Sequence, residues 1–356
     1  MKHILFFIVG VLVVVALASG APVMAETIEL KIASYEPIQS HLIQNVYLPY
    51  CAEIEKRTNG RIKFKWYHSG SLVKAPQTYK ALLTGLVDMV ASVGIWTQES
   101  QFPVSQVFTL PFLFENSHQV DLTYMKAVET IPELQNEYSK IKMLGFHASD
   151  LANISLVVPP PKTLSEMKGL RLWGGSRTSV KIIQLLGGTP RNVKLTDLYM
   201  ALQRKALDGV LFPTAPLAAY KLTDVLNNHC IMNATLGLIP LAMSLKTWNS
   251  LPPDIQKVFE EMKPSVTSFL GTVVDNRREY LLKQLKERGD NIYYLPASEK
   301  ARWRAKVQPI YDDWFKLMKS RGLNGEAILN RVKSIAAEMK AAPLTASDWW
   351  GDRWRK

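Results

Sequence analysis

The 356-residue chain has only two cysteines, Cys51 and Cys230. That number excludes a disulfide framework and a cysteine-rich metal module. The pair can bond in an oxidising compartment or remain as two free buried thiols, and no spacing argument decides between them. GxSxG, HExxH, P-loop and GxGxxG patterns are absent, so the usual signals for acyl transfer, zinc hydrolysis and nucleotide binding are missing. His41, His68, His118, His147 and His229 stand apart from one another, and each reads as structural. No metal or cofactor is expected, and no enzyme. Internal repeats, low-complexity tracts and Ser/Gly linkers are also lacking.

What is present begins with charge. The formal excess is +12, yet stretches such as SEKARWRAK over 298–306 alternate in sign, as solvated helix faces do. A nucleic-acid partner is therefore not expected, and the excess is left to steer anionic ligands or partners. The first 25 residues combine Lys2, an apolar run from Ile4 to Ala18, and Ala25 before Glu26. This is the layout of a cleavable export signal. The run is shorter than the roughly 20 residues of a spanning helix. The mature chain, 26–356, is long enough for two domains with real cores.

Ile28 to Ala33 alternates as a strand, His41 to Thr58 carries helical spacing, and Asn59-Gly60 stops it. A strand from Arg61 to Tyr67, a helix from Gln77 to Leu86 and a strand from Val87 to Val93 follow. This β-α-β-α-β order builds a parallel sheet covered by helices. A second α/β unit reads from Lys142: strands 142–147, 155–158, 170–173 and 209–211, with helices at 179–186 and 195–205. Two such units imply a cleft, and Trp173 and Phe212 fall at strand ends where ligands sit. Trp96, just past a strand and Gly94, is placed in the same cleft. The period from Pro252 to Gly289 is helical and interrupted only at Pro264, long enough to bridge two domains, and the tail from Ser298 to Trp349 is further helix. Asp88 and Asp208 are expected to cap or pin turns, and Leu110 to Phe114 to pack a core.

Several segments together resemble the periplasmic solute-binding proteins of TRAP (tripartite ATP-independent periplasmic) transporters, of the dicarboxylate-binding type. They are His68-Ser69-Gly70-Ser71-Leu72, Gly85-Leu86-Val87-Asp88-Met89, Leu110 to Glu115, LSEMKGLRL at 164–172, Gly187-Gly188-Thr189-Pro190 and LYMALQRKALDGVLFP at 198–213. The resemblance implies an α/β clamshell of two domains with mixed sheets, joined by crossing strands and a long bridging helix. Domain I would be 26–149 plus about 237–277, and domain II about 150–236 plus 278–356. It further implies a monomer that captures one small solute and delivers it to TRAP membrane permease subunits. A sensor that presents its closed form to a membrane receptor would use the same fold.

The chain departs from the pattern that the resemblance implies. Carboxylate binders of the family usually carry an arginine where this chain has Trp173, a second where it has Ala152, and an asparagine where it has Phe212. An arginine fork grips a carboxylate through two charge-assisted bonds, so the usual grip is gone. Three readings remain. The first, ranked ahead on the family's preference for organic acids, has Ser176, Arg177 and Thr178 cradling a sulfonate or displaced carboxylate at a helix start. In the second, Tyr35, Trp96, Trp173 and Phe212 cage a cation with Asp150 supplying charge. The third stacks the same aromatics on an aromatic or apolar acid, while Trp173 as mere filling is the plain alternative. Leu195 and Thr214 complete the expected pocket.

Overall fold

The computed structural model describes residues 27–340, so the expected export signal and the last part of the helical tail lie outside the described residues. Two sheets organise it. The first contains β1 (Ile28–Ala33), β2 (Ile62–Tyr67), β3 (Met89–Val90) and β4 (Ile141–Ala148). The second contains β5 (Asn153–Leu156), β6 (Arg171–Gly174), β7 (Thr189–Arg191), β8 (Gly209–Phe212), β9 (Asn228–Ile231) and β11 (Asn291–Tyr294), and β10 (Leu238–Ser244) returns to the first. Their orders are β2-β1-β3-β10-β4 and β11-β9-β5-β8-β6-β7.

The expected parallel pairing holds for β1 with β2 and β3. Both sheets are mixed, as the family resemblance implies, because β10 runs antiparallel between β3 and β4, and β5 runs antiparallel to β8 and β9. The strand expected over 87–93 pairs only at Met89 and Val90, since the chain turns at Ser92 into the loop that carries Trp96. Asp88 and Asp208 pin turns as expected. Asp88 accepts from the Lys31 amide and the Thr247 hydroxyl, and Asp208 accepts from the backbone and guanidinium of Arg171.

Helices α1 (Leu48–Arg57), α2 (Thr78–Thr84), α3 (Ser117–Thr130) and α4 (Pro132–Glu137) accompany the first sheet, and α5 (Arg177–Leu185) and α6 (Leu198–Gln203) the second. After α7 (Leu245–Ser250) comes α8 (Pro253–Arg288), 36 residues and about 54 Å long at 1.5 Å per residue. Its first half buries Phe259, Val266 and Phe269 with Leu30 and Met243 of the first sheet. Leu281 and Leu285 near its end join Leu198 and Val210 of the second. One helix thus serves both cores.

The expected interruption at Pro264 does not occur. Pro264 lies on the exposed side of α8, while Met262, Ser265 and Val266 are buried. Glu260, whose carbonyl loses its donor, is exposed as well, and packing on the other face holds the helix together. Gly289, at φ 94°, ends it in a left-handed conformation open to glycine. The final helices α9 (Ala297–Lys306), α10 (Pro309–Ser320) and α11 (Gly325–Met339) fold back, α11 onto α3 and α10 onto α5. Leu110, Phe112 and Phe114 are buried core, as their composition implies.

Cys51 and Cys230 are both free and buried, the first in α1 and the second in β9. Burial pushes the Cys51 thiol up and the Cys230 thiol to about 12, so both stay protonated and unreactive.

Candidate functional site

The chain crosses between sheets from β4 to β5 and again from β9 to β10, and these crossings bind each other. The Ala152 amide donates to the Thr235 carbonyl at 2.6 Å, the Ser149 amide to the Gly237 carbonyl at 2.8 Å, and the Gly237 amide to the Ser149 hydroxyl at 2.8 Å. Against them opens a cavity of about 120 Å³, lined mainly by apolar and aromatic side chains with a few polar groups, as small-molecule sites are.

Of the residues expected there, Tyr35, Trp96, Asp150, Ala152, Ser176, Leu195 and Phe212 line it. The Trp96 indole donates to the Tyr35 hydroxyl at 3.2 Å, with the rings edge to face. Phe212 lies edge to face with Tyr220, a wall residue that sequence reasoning missed. Leu42, Leu236, Ile239 and Val274 add aliphatic surface.

Trp173, Arg177 and Thr214 do not line the cavity. Trp173 is 4% exposed, its indole donates to the Val193 carbonyl at 2.8 Å, and its ring backs Phe212 at 5.3 Å. It is a buttress behind the wall. Its contact with the cavity passes through Gly175, where a Cβ would meet Trp173 Cη2 at 2.9 Å and Trp96 Cζ3 at 3.3 Å. Thr214 acts through its backbone and hydroxyl. Its amide donates to Asp150 Oδ2 at 2.7 Å, and its hydroxyl accepts from Asn153.

Arg177, first residue of α5, is exposed and lies over a separate groove with Lys181, Asp313 and Arg321. The start of α5 is occupied by the protein itself. Glu99, from the loop after β3, accepts from the Thr178 hydroxyl at 3.2 Å and also from the Thr178 amide and Ser176. A carboxylate at a helix N-terminus is the favoured arrangement. The anion cradle expected at Ser176, Arg177 and Thr178 is therefore taken by a side chain, and Arg177 points away from the cavity.

No lysine or arginine among the described residues lines the cavity. Two carboxyls do. Asp150 is fully buried, and burial lifts its pKa to about 7 against the amides of Thr214 and Ala215, which favour the charged form. Glu36 is likewise pushed up by burial, with Ser40 and Ser92 hydroxyls each 2.5 Å from a carboxyl oxygen. His41 and His147 also stand at the wall. Both read as structural in the sequence, as does His229, which is held between Ser155 at 2.9 Å and Asp290 at 3.1 Å. Burial lowers His41 to about 3 and His147 to about 4. Both rings are therefore neutral.

The arrangement can enclose an apolar ring and present acceptors to it. No group of three or more potential metal ligands gathers among the described residues. Among those residues, no helix is long and apolar enough to cross a membrane.

Residues 33–317 match the family described as bacterial extracellular solute-binding protein, family 7. The C4-dicarboxylate-binding periplasmic protein DctP of Rhodobacter capsulatus is 22% identical over 290 residues, 80% of this chain and 84% of that protein. Among solved structures, a TRAP solute-binding protein from Rhodoferax ferrireducens, with copurified benzoate, superposes with a TM-score of 0.81 at 24% identity over 88% of this chain and 98% of that one. A marine metagenome TRAP solute-binding protein specific for aromatic acid ligands, with 3-hydroxybenzoate, gives 0.82 at 21% identity over 88% and 99%. With the family match spanning both sheets and the cavity between them, the chain belongs to family 7 of the bacterial extracellular solute-binding proteins, the DctP family of TRAP binding proteins, which are not enzymes.

Proposed function

We propose that this protein is the periplasmic solute-binding subunit of a TRAP transporter and that its solute is a small aromatic molecule. The chain is exported by cleavage after Ala25, captures the solute as a monomer between lobes built on the two sheets, and hands it to the membrane permease for ion-gradient-driven uptake. The lobes divide near Ser149 and Leu236, with α8 as the bridge.

The observation that carries the choice of solute is the cavity wall of Tyr35, Trp96, Phe212 and Tyr220, unbroken by lysine or arginine. Aromatic pairs of this kind contribute about 0.5–1.5 kcal/mol each beyond the area they bury. The aromatic acids bound by two structural neighbours lend support. A sulfonate or carboxylate at the start of α5 would meet Glu99. A second reading, an aromatic solute that is itself a cation, draws support from Glu36 and Asp150 at the wall.

The test is a thermal-shift screen of the 26–356 chain against benzoate, hydroxybenzoates, aromatic amines and non-aromatic organic acids. Ligand a thousandfold above its Kd adds about 4 kcal/mol to stability. Stabilisation confined to non-aromatic acids refutes the reading.

A further inference from the structure

His147 is the wall residue whose chemistry is least explained by the fold. It is 1% exposed, near the end of β4. Its Nδ1 lies 3.1 Å from the Ala148 carbonyl. A carbonyl only accepts, so Nδ1 carries the hydrogen and donates. Nε2 is left as a bare lone pair, buried, with no protein group in hydrogen-bonding reach. His41, at the same wall, also has a buried Nε2 without a protein partner.

Buried acceptors of this kind ordinarily find a donor. The two wall carboxyls already have theirs: Ser40 and Ser92 serve Glu36, and the amides of Thr214 and Ala215 serve Asp150. A hydrogen-bond donor entering on a solute therefore has the Nε2 atoms of His41 and His147 open to it, and of the two only His147 has its proton fixed on Nδ1 by a carbonyl. A bare carboxylate would set its own lone pairs against that of Nε2.

We propose that His147 is a specificity residue whose Nε2 accepts a hydrogen bond from an O–H or N–H group on the bound solute. The solute class is then an aromatic ring bearing a hydroxyl or an amine. This deepens the aromatic reading above and rests on it for the ring, while the role of His147 stands on its own geometry. A site built to pair a solute hydroxyl discriminates strongly against the analogue lacking it, because its own group is then left unpaired.

The experiment uses the full mature chain labelled with 15N-histidine. Probes are benzoate, its three hydroxy isomers and benzylamine, each titrated by calorimetry and by the His147 Nε2 resonance. At least one donor-bearing probe is expected to bind about tenfold or more tighter than benzoate and to move that resonance. In His147→Phe, checked for folding by its melting curve, the preference shrinks to about twofold or less. Benzoate binding as tightly as every donor-bearing probe, or a resonance unmoved at saturation, overturns the proposal. The resonance is read on the unmutated protein, so a misfolded variant does not remove the test. If no aromatic probe binds, the aromatic reading has failed. The same resonance is then followed with the solute that copurifies, and its movement or stillness decides the role of His147 separately.

Discussion

Replacing Asp150 with asparagine is expected to reverse the sign of its effect on stability between acid and mildly alkaline pH. Asp150 is fully buried, and its pKa rises from 3.8 to about 7 in the folded protein, chiefly by desolvation. A group whose folded pKa is raised keeps its proton where the unfolded chain has lost it. The stability it contributes is complete below about pH 4 and is lost as pH rises through about 7. A shift of about three units at about 1.4 kcal/mol each is roughly 4 kcal/mol. The asparagine has one acceptor oxygen for the Thr214 and Ala215 amides and turns an NH2 toward them. An amide left unpaired costs about 1–3 kcal/mol. The variant should therefore be less stable than the parent at pH 4 and as stable or more stable at pH 8. Urea unfolding of the ligand-free chain at pH 4, 5, 6, 7 and 8 measures the difference. Glu36 and Glu99, also raised by burial, are common to both proteins and largely cancel in it. A deficit that is constant or grows with pH would refute the reasoning and place a permanently charged carboxylate in the cavity wall.

Other predictions concern the wall and its surroundings. Gly175→Ala presses a methyl between Trp173, locked to Val193, and Trp96, which must yield; overpacking of this kind costs about 1–3 kcal/mol. Calorimetry with the best solute should show an affinity loss near tenfold, and unchanged affinity would mean that Trp96 is not a contact. Arg177→Ala should leave affinity within about twofold, because the residue lies outside the cavity; a tenfold loss would restore the anion cradle. Glu99→Ala removes the carboxylate that caps α5, a loss of about 1 kcal/mol, seen as a lower urea midpoint with an intact binding site. A midpoint equal to the parent's would show that the cap contributes nothing.

Much of this architecture is legible in the sequence, because period-2 and period-3.6 patterns survive wherever an element has one wet face. That is how β1, β2, α5 and the length of α8 are recovered. β9 and β10 escape the same reasoning. Every residue of β10 is buried, so it shows no alternation, and Pro240 argues against a central strand. The site divides along similar lines. Strand ends and the loop after Gly94 locate Tyr35, Trp96 and Phe212. Sequence does not tell which face of the pleat Trp173 takes, or that the 100° step of α5 turns Ser176 and Ser179 to the cavity and Arg177 away. His41 and His147 carry no spacing signal, being single residues on different elements. Glu99 reaches Thr178 of α5 from 79 positions earlier in the chain, a pairing created by the tertiary fold alone.

The central claim is that the solute lies against the aromatic wall at the crossing segments, with no arginine gripping it. A crystal structure of the mature chain with its copurified or best-binding solute tests this most directly. The expected result is a ring in contact with Tyr35, Trp96 and Phe212 and a donor group within hydrogen-bonding distance of His147 Nε2. A solute held by Arg177 at the start of α5, with the aromatic wall empty, would contradict it.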